Sequence, residues 1–396
     1  MGALDGVRVL DLSRVLAGPL CTQMLADHGA DVIKIEPPTG DETRQLGPPF
    51  DEAGDAAYFS AINRGKRAIA LDLAQPEGRD VLLRLLDRAD VLVENFLPGT
   101  MERWDMGYDA LARRYPRLVY CSITGFGADG PLGGLPGYDA VLQATCGLMS
   151  VNGNADTGPM RVGVPVVDHL TGYAACTGIL MALLARERTG RGERVEATLF
   201  DTGLSLLVPH AANWFVSGQA PRLLGSAHPN IAPYEKFRVG SAEIFLAVAN
   251  DGQFRKLCTC LAAPALGDDA RFATNAARVA NRTALREALE ASLATRDADA
   301  LCRELMRQGV PAGVVNTVPD ALRHAHAMHR GSTIEADGYR GLAPTARLGS
   351  SGWRRTRRPP RFAEHTNEIL AEAGYTQDEI ADLRHTDVAR REPKRR

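Results

Sequence analysis

The chain has almost no charge of one sign in excess: 46 Lys and Arg face 48 Asp and Glu in 396 residues, a formal net charge of −2. That balance leaves no electrostatic footprint for nucleic acid. The basic clusters WRRTRRPPR (353–361) and the terminal KRR read as solvated surface or tail. A disulfide framework is also missing. Seven cysteines, an odd number, are scattered at positions 21, 121, 146, 176, 258, 260 and 302. The one close pair, Cys258 and Cys260, falls in an amphipathic helical pattern and reads as core packing. Reduced thiols and a cytoplasmic setting are the expectation. No charged leader precedes an apolar run at the N-terminus, and no stretch of about 18 apolar residues follows, so neither secretion nor a membrane partner is expected.

Several motifs are absent as well. SRVLAGPLCTQM (13–24) follows a strand-like run and leads to Glu36, as in a dinucleotide-binding fold, but it offers Gly18 alone where the phosphate-binding turn needs three glycines. A nicotinamide dehydrogenase is therefore disfavoured. Neither a Gly-Lys-Ser/Thr phosphate loop nor a Gly-x-Ser-x-Gly elbow occurs. His324, His326 and His329 lack the spacing of a zinc site and read as a surface helix, so no metal is assigned.

What is present is alternation. VRVLDL (7–12), DVIKIE (31–36), VLVENF (91–96) and RLVYCSI (117–123) read as strands, separated by helical patterns at 18–29, closed by Gly29, and at 76–90. Strands alternating with helices argue for a parallel sheet covered by helices. A Gly- and Pro-rich loop (124–139) is suited to a binding surface. A long helix (171–190) and a strand (193–200) follow. Periodicity is lost at 217–234, which suggests a domain boundary. Beyond it, KFRVGSAEIFLAV (236–248) alternates like a hairpin turning at Gly240 and Ser241. Helices at 253–263, 281–294 and 299–308 and the strand-like VPAGVV complete a smaller α+β domain. Two short C-terminal helices have Thr366 and Thr376 as their expected caps.

In GVPVVDHLTGYAAC (163–176) the acid Asp168 sits among Val164, Val166, Val167 and Leu170. A buried carboxylate is costly unless paired, and often raises its pKa. On residue type alone, Asp168 reads as the cap of a helix beginning near His169.

Taken together, LDGVRVLDLSRVLAGPLCTQMLADHGADVIKIEPPTGDETR (4–44), NRGKRAIALDL (63–73), ADVLVENFLPG (89–99), YCSITGFGADGP (120–131), GYDAV (137–141) and VDHLTG (167–172) resemble the class III CoA-transferases, a family that includes the α-methylacyl-CoA racemases. The likeness continues through AHPNIAPYEKF (227–237) and NDGQFRKLC (250–258) to EHTNEIL (364–370). It implies an α/β fold with a Rossmann-like large domain of parallel strands and helices, a smaller α+β domain, and an interlocked homodimer. The expected parts are a large CoA-binding domain (1–220), a small domain (221–325) and a C-terminal segment (326–396) returning to the first.

The resemblance also makes Asp168, with Gly172 one turn on, the nucleophile of a CoA transfer. It implies acyl-CoA and small carboxylic acid partners, with CoA thioesters as substrates and no permanently bound cofactor. CoA contacts map onto Val15, Leu16, Ala17, the segment Leu71 to Ala74, Asn95, Phe96, Arg103, Tyr138 and Asp139. Pro37 and Pro136 replace basic residues of the formyl-CoA branch, leaving Lys66 or Arg67 as substitutes. The glycine-rich lid of that branch is not visible, which argues against oxalate. Tyr138 stands where the racemases carry a histidine, so epimerisation ranks second although Asp251 matches their second acid. A non-catalytic acyl-CoA binding protein is a further alternative. GYDAV, PMRVGVPVVDHLTG and AHPNIAPYEKF are most like members that use succinyl-CoA and small dicarboxylates. The second carboxylate needs a cation, for which Arg14, Arg161 and His228 are the candidates.

Overall fold

The computed structural model describes residues 2–351, 357–386 and 388–390. Residues 353–356 of the basic cluster and the terminal KRR lie outside them; within, Arg358 pairs with Glu364 at 2.6 Å. The strands in chain order are β1 (Arg8–Asp11), β2 (Asp31–Glu36), β3 (Arg67–Leu71), β4 (Val91–Glu94), β5 (Val119–Thr124), β6 (Gly153–Asn154), β7 (Gly158–Pro159) and β8 (Arg194–Thr198). After them come β9 (Tyr234–Val239), β10 (Ala242–Ala247), β11 (Ala312–Val314), β12 (Thr333–Ala336), β13 (Tyr339–Leu342) and β14 (Ala389–Arg390). The helices are α1 (Ala17–Asp27), α2 (Ala57–Ala61), α3 (Pro76–Leu86), α4 (Thr100–Arg103), α5 (Tyr108–Arg114), α6 (Asp139–Thr145), α7 (Val166–Thr189), α8 (Leu199–Ser205) and α9 (His210–Ser217). The remainder are α10 (Asp251–Cys260), α11 (Pro264–Asp268), α12 (Asn275–Ala280), α13 (Arg282–Leu293), α14 (Ala298–Arg307), α15 (Val318–Arg323), α16 (Ala325–Arg330), α17 (Thr366–Glu372) and α18 (Gln377–His385).

The chain divides into two compact units. The first comprises Met1–Cys146, Gly163–Leu206 and Met328–Arg396; the second comprises Gly147–Val162 and Leu207–Ala327. The boundary expected at 220 falls at 206/207. The loss of periodicity at 217 marks the end of α9, where Gly218 takes the left-handed cap conformation at φ 68. Residues 147–162, expected in the large domain, belong to the second unit.

In the first unit a seven-stranded sheet runs β14-β3-β2-β1-β4-β5-β8, parallel throughout except for β14. Such sheets bury both faces, and β3, β4 and β5 are buried at every residue. Pro76 at its first turn starts α3, whose Val81, Leu82, Leu85 and Leu86 form one apolar face on the sheet. Ile369, Leu370 and Ile380 of α17 and α18 enter the same core as Leu10, Ile33 and Ile69, so the C-terminal segment closes this unit. Thr376 caps α18. Thr366 does not cap α17: it is the helix's first residue, and its hydroxyl donates to the Ala363 carbonyl.

The order β3-β2-β1-β4-β5 is that of a doubly wound sheet, in which connections leave β1 toward opposite sides. Ligands in such sheets bind beyond the carboxyl ends of the strands at this switch point, here the loops after β1 and β4. The 24-residue α7 is long and apolar enough to cross a membrane, which a count of uninterrupted apolar residues does not register. It buries Val167, Thr171, Ala175, Ile179 and Leu183 within the first unit and packs on α1, β5 and β8.

The second unit is built on the antiparallel sheet β11-β10-β9, with the β9–β10 turn at Gly240 and Ser241. Phe237, Leu246, Phe254, Leu257, Leu289 and Leu301 form its core, and Cys258 packs among them. The histidine-rich segment is not one helix: His324 separates α15 from α16.

Candidate active site

The loop after β1 is held in an unfavourable conformation. Val15 has φ 68, a left-handed value that a β-branched residue rarely adopts and that survives only where neighbours over-determine it. Those neighbours are visible. Asn95 accepts from the Arg14 amide at 2.8 Å and donates to the Arg14 carbonyl at 2.7 Å. Lys34 donates to the Ser13 carbonyl at 3.0 Å and pairs with Asp41 at 2.9 Å. Asp11 accepts from the Ser13 amide and hydroxyl, from Thr22 and, at 2.8 Å, from the fully buried Lys66. Burial works against both charges of that pair, yet Lys66 and Lys34 hold Asp11 down to about 2, while Lys66 falls to about 8.

Two glycines let α1 and α7 approach this loop. A Cβ on Gly18 would meet Ser13 at 2.3 Å, and one on Gly172 would lie 2.7 Å from the Ala17 carbonyl. The Asp-x-x-x-Gly spacing thus has a packing cause: Gly172 seats α7 on the start of α1, and Asp168 stands one turn nearer the N-terminus, beside residues 14–17.

Asp168 is the third residue of α7 and 8% exposed. It does not cap the helix. Pro165 occupies the N-cap position and has no side-chain acceptor. Asp139, at the start of α6, instead accepts from the amides of Val167 at 2.8 Å and Asp168 at 3.2 Å, while Gln143 donates to its other oxygen at 2.6 Å. Among the described residues nothing donates a hydrogen bond to the Asp168 carboxylate. Burial, and then the charge of Asp139, push it up to about 7. Tyr58 of α2 faces the same acids; burial and the charges of Asp168, Asp139 and Asp41 raise it to about 12.

Asp168 opens into a cavity of about 280 Å³ at the switch point, lined by Arg14 to Ala17, Asn95 to Pro98, Ile123 to Gly125 and Leu135 to Tyr138. Six of the expected CoA-contacting residues meet there: Val15, Leu16, Ala17, Asn95, Phe96 and Tyr138. The other four do not line it. Leu71 is buried in the sheet core, Ala74 and Arg103 are exposed elsewhere with Arg103 donating to Thr100, and Asp139 is engaged by α7. Arg14 lies over the Phe96 ring at 5.5 Å, and its buried Nε has no hydrogen-bond partner. The other two candidate cations, Arg161 and His228, belong to the second unit. His228 packs on Tyr234, and burial, with His210 and Arg282 nearby, lowers its pKa, so it is a poor cation at neutral pH.

The site is thus a buried carboxylate without a hydrogen-bond donor among the described residues, at the switch point of a doubly wound sheet, and comparison with known proteins gives the chain a family. The pattern that defines CoA-transferase family III matches residues 4–366. The chain belongs to that family. Succinate–glutarate CoA-transferase of Agrobacterium fabrum is 40% identical over 380 residues, covering 93% of this chain and 95% of that one. Acetyl-CoA:oxalate CoA-transferase of Acetobacter aceti is 40% identical over 341 residues, covering 85% and 87%. A crystal structure of a CAIB/BAIF family protein from Brucella suis superposes with a TM-score of 0.85 at 44% identity, covering 94% of this chain and 99% of that one.

As a family III CoA-transferase, the chain departs from one expectation about charge. Lys66 and Arg67 do not stand in for the basic residues replaced by Pro37 and Pro136. The Lys66 ammonium is enclosed by Asp11, Asn63 and the Pro19 carbonyl, and Arg67 is held by Asp31, Glu368 and Glu372. Asp251, which the resemblance sets against a racemase acid, is paired with the buried Arg278 at 2.8 Å.

Proposed function

We propose that this CoA-transferase moves CoA from succinyl-CoA to a small dicarboxylic acid through covalent intermediates on Asp168. An Asp168 carboxylate oxygen attacks the thioester carbonyl, the C–S bond breaks, and CoA thiolate departs from a mixed anhydride. The thiolate then attacks the Asp168 carbonyl carbon, releasing succinate and leaving an aspartyl-CoA thioester. The acceptor carboxylate attacks that thioester to give a second anhydride. Thiolate attack on the acceptor's carbonyl finally frees Asp168 and the new acyl-CoA. Each intermediate holds the Asp168 carbonyl as an anhydride or a thioester, so an activated bond is kept throughout.

The observation that carries this reading is the Asp168 carboxylate: buried, without a donor, and beside the loop of Val15 to Ala17. A solvated carboxylate is a weak nucleophile, and water would hydrolyse the anhydride. Arg14 suits the acceptor's second carboxylate, since its guanidinium lines the same cavity with Nε unsatisfied. The relatives' names support a dicarboxylate acceptor and differ in the donor.

The homodimer belongs to the same proposal. On α7, Tyr173, Leu180, Met181 and Leu184 are exposed, and α9 buries none of its residues while exposing Trp214, Phe215 and Val216. Apolar faces of this kind mark interfaces, and sedimentation of the purified chain reads the assembly.

The test of the mechanism is incubation with succinyl-CoA, quenching, trapping with hydroxylamine or borohydride, and peptide mapping. Modification of Asp168 is the expected result. Transfer with every intermediate absent from Asp168 sinks the covalent reading.

A further inference from the structure

The first turn of α7 is capped from a distance. At several other helices the residue before the helix supplies the acceptor, among them Thr198 for α8, Asn250 for α10, Thr274 for α12, Asp297 for α14 and Thr376 for α18. At α7 that position is Pro165, and the acceptor comes from Asp139, 28 residues away from Val167 in sequence. The other first-turn amides are also satisfied without Asp168. Val166 donates to the Val164 carbonyl at 2.8 Å and His169 to the Pro165 carbonyl at 3.0 Å.

An acid in the first turn of a helix ordinarily turns back to accept from its own N–H groups or stays in water. Asp168 does neither. The groups that would tie it down are already taken, and Asp139 is itself fixed by Gln143, fully buried on the same helix α6. We propose that Asp139 is the positioning residue of the transfer reaction: by capping α7 in place of Asp168, it fixes the nucleophile's main chain and leaves the Asp168 carboxylate free to attack.

This inference rests on the reading of Asp168 as nucleophile. It assigns Asp139 a role distinct from contact with CoA, because both of its oxygens face protein donors and it does not line the cavity. Its charge adds to the arrangement, since two carboxylates held close resist being ionised together. The titratable groups facing Asp168 are Asp139 from α6 and Tyr58 from α2, with Arg14, Glu42 and Tyr138 along the cavity.

Two substitutions separate the cap from the charge. Asp139→Asn retains an oxygen for the two α7 amides and removes the charge; Asp139→Ala removes both. Each is measured for kcat and KM with succinyl-CoA across pH 5 to 9, alongside hydroxylamine trapping on the wild type. We expect the acid limb of kcat/KM to move down by about one pH unit in Asp139→Asn, with KM within about twofold. We expect kcat at pH 8 to fall by roughly 30-fold or more in Asp139→Ala, as Asp168 turns back to cap its own helix. Asp139→Asn, which keeps the cap, should hold kcat at pH 8 within a few-fold of the wild type; a loss of roughly 30-fold there overturns the inference even if Asp139→Ala does not fold. A raised KM at constant kcat overturns it in favour of a CoA contact. A wild-type enzyme that transfers CoA without an adduct on Asp168 overturns the nucleophile reading and this inference together, whereas a trapped adduct with wild-type kinetics in both variants overturns this inference alone.

Discussion

Two acids occupy the same place on two helices and have opposite fates. Asp168 is the third residue of α7, and Glu379 is the third residue of α18. Glu379 accepts from the Thr376 amide at 2.7 Å and hydroxyl at 3.0 Å, while Thr376 accepts from the Glu379 amide in return. Those bonds hold Glu379 below the usual carboxylate range. Asp168 finds no donor, and burial and Asp139 push it up to about 7. Helix position is shared, so it does not explain the difference. The identity of the cap does: a threonine before α18 draws the acid into a closed box, whereas a proline before α7 and an aspartate on another helix leave the acid unbound.

The largest break in this comparison is removal of the unbound acid's chemistry. Asp168→Asn should lower transfer by roughly 10⁴-fold or more, the scale expected when a nucleophile acting within a catalytic unit is lost. Glu379→Gln should leave turnover unchanged. In the wild type, kcat/KM should fall tenfold per pH unit below a midpoint near 7, because protonated Asp168 cannot attack. A midpoint near the ordinary value of 3.8 would show that burial and Asp139 do not govern the acid.

A smaller effect tests the cavity around it. Arg14→Gln should raise the KM for a dicarboxylate acceptor by roughly 10- to 100-fold, the value of a charge-assisted hydrogen bond, and change a monocarboxylate acceptor little. Equal losses for both acids would instead assign the Arg14 guanidinium to the CoA portion.

How much of this was legible in the sequence follows from the range of the interactions. The strands β1, β2, β4 and β5 show as apolar runs between turn signals, and Thr376 with Glu379 is a local pattern of three residues. Asp168 and Gly172 are paired by the family resemblance alone, and the contact of Gly172 with the Ala17 carbonyl gives that spacing its packing cause only in the fold. Strand β14 is two residues paired with β3 from the far end of the chain, too short for periodicity to register. The sequence suggests an α7 start near His169 with Asp168 as cap because Asp is a common cap; the acceptor actually used is Asp139, which no local pattern connects to Val167. In sequence, Lys66 and Arg67 read as spare cations. Only the fold shows that Asp11, Asp31, Glu368 and Glu372 already hold them.

The smallest prediction sharpens the contrast, because the two acids should bend stability with pH in opposite senses. Asp168 has a folded pKa near 7 against 3.8 for the unfolded chain, so between those values the native state binds the extra proton and stability falls as pH rises. At pH 8 the folded protein carries the full burden of a buried anion, and Asp168→Asn should melt above the wild type, with the gap closing as pH drops from 7 toward 4. Glu379 has a folded pKa below its unfolded 4.5, so its contribution is present above 4.5 and lost as pH falls through the lowered value. Glu379→Gln should therefore melt slightly below the wild type at pH 7 and converge with it below pH 4. Thr376→Ala, which removes the other half of the box, should cost about 1 kcal/mol without touching turnover. Melting curves of the three variants across pH 4 to 8 read all of these signs. If Asp168→Asn proved the less stable at pH 8, the carboxylate would have a partner stabilising its charge, and an acid held that way would resemble Glu379 more than a nucleophile.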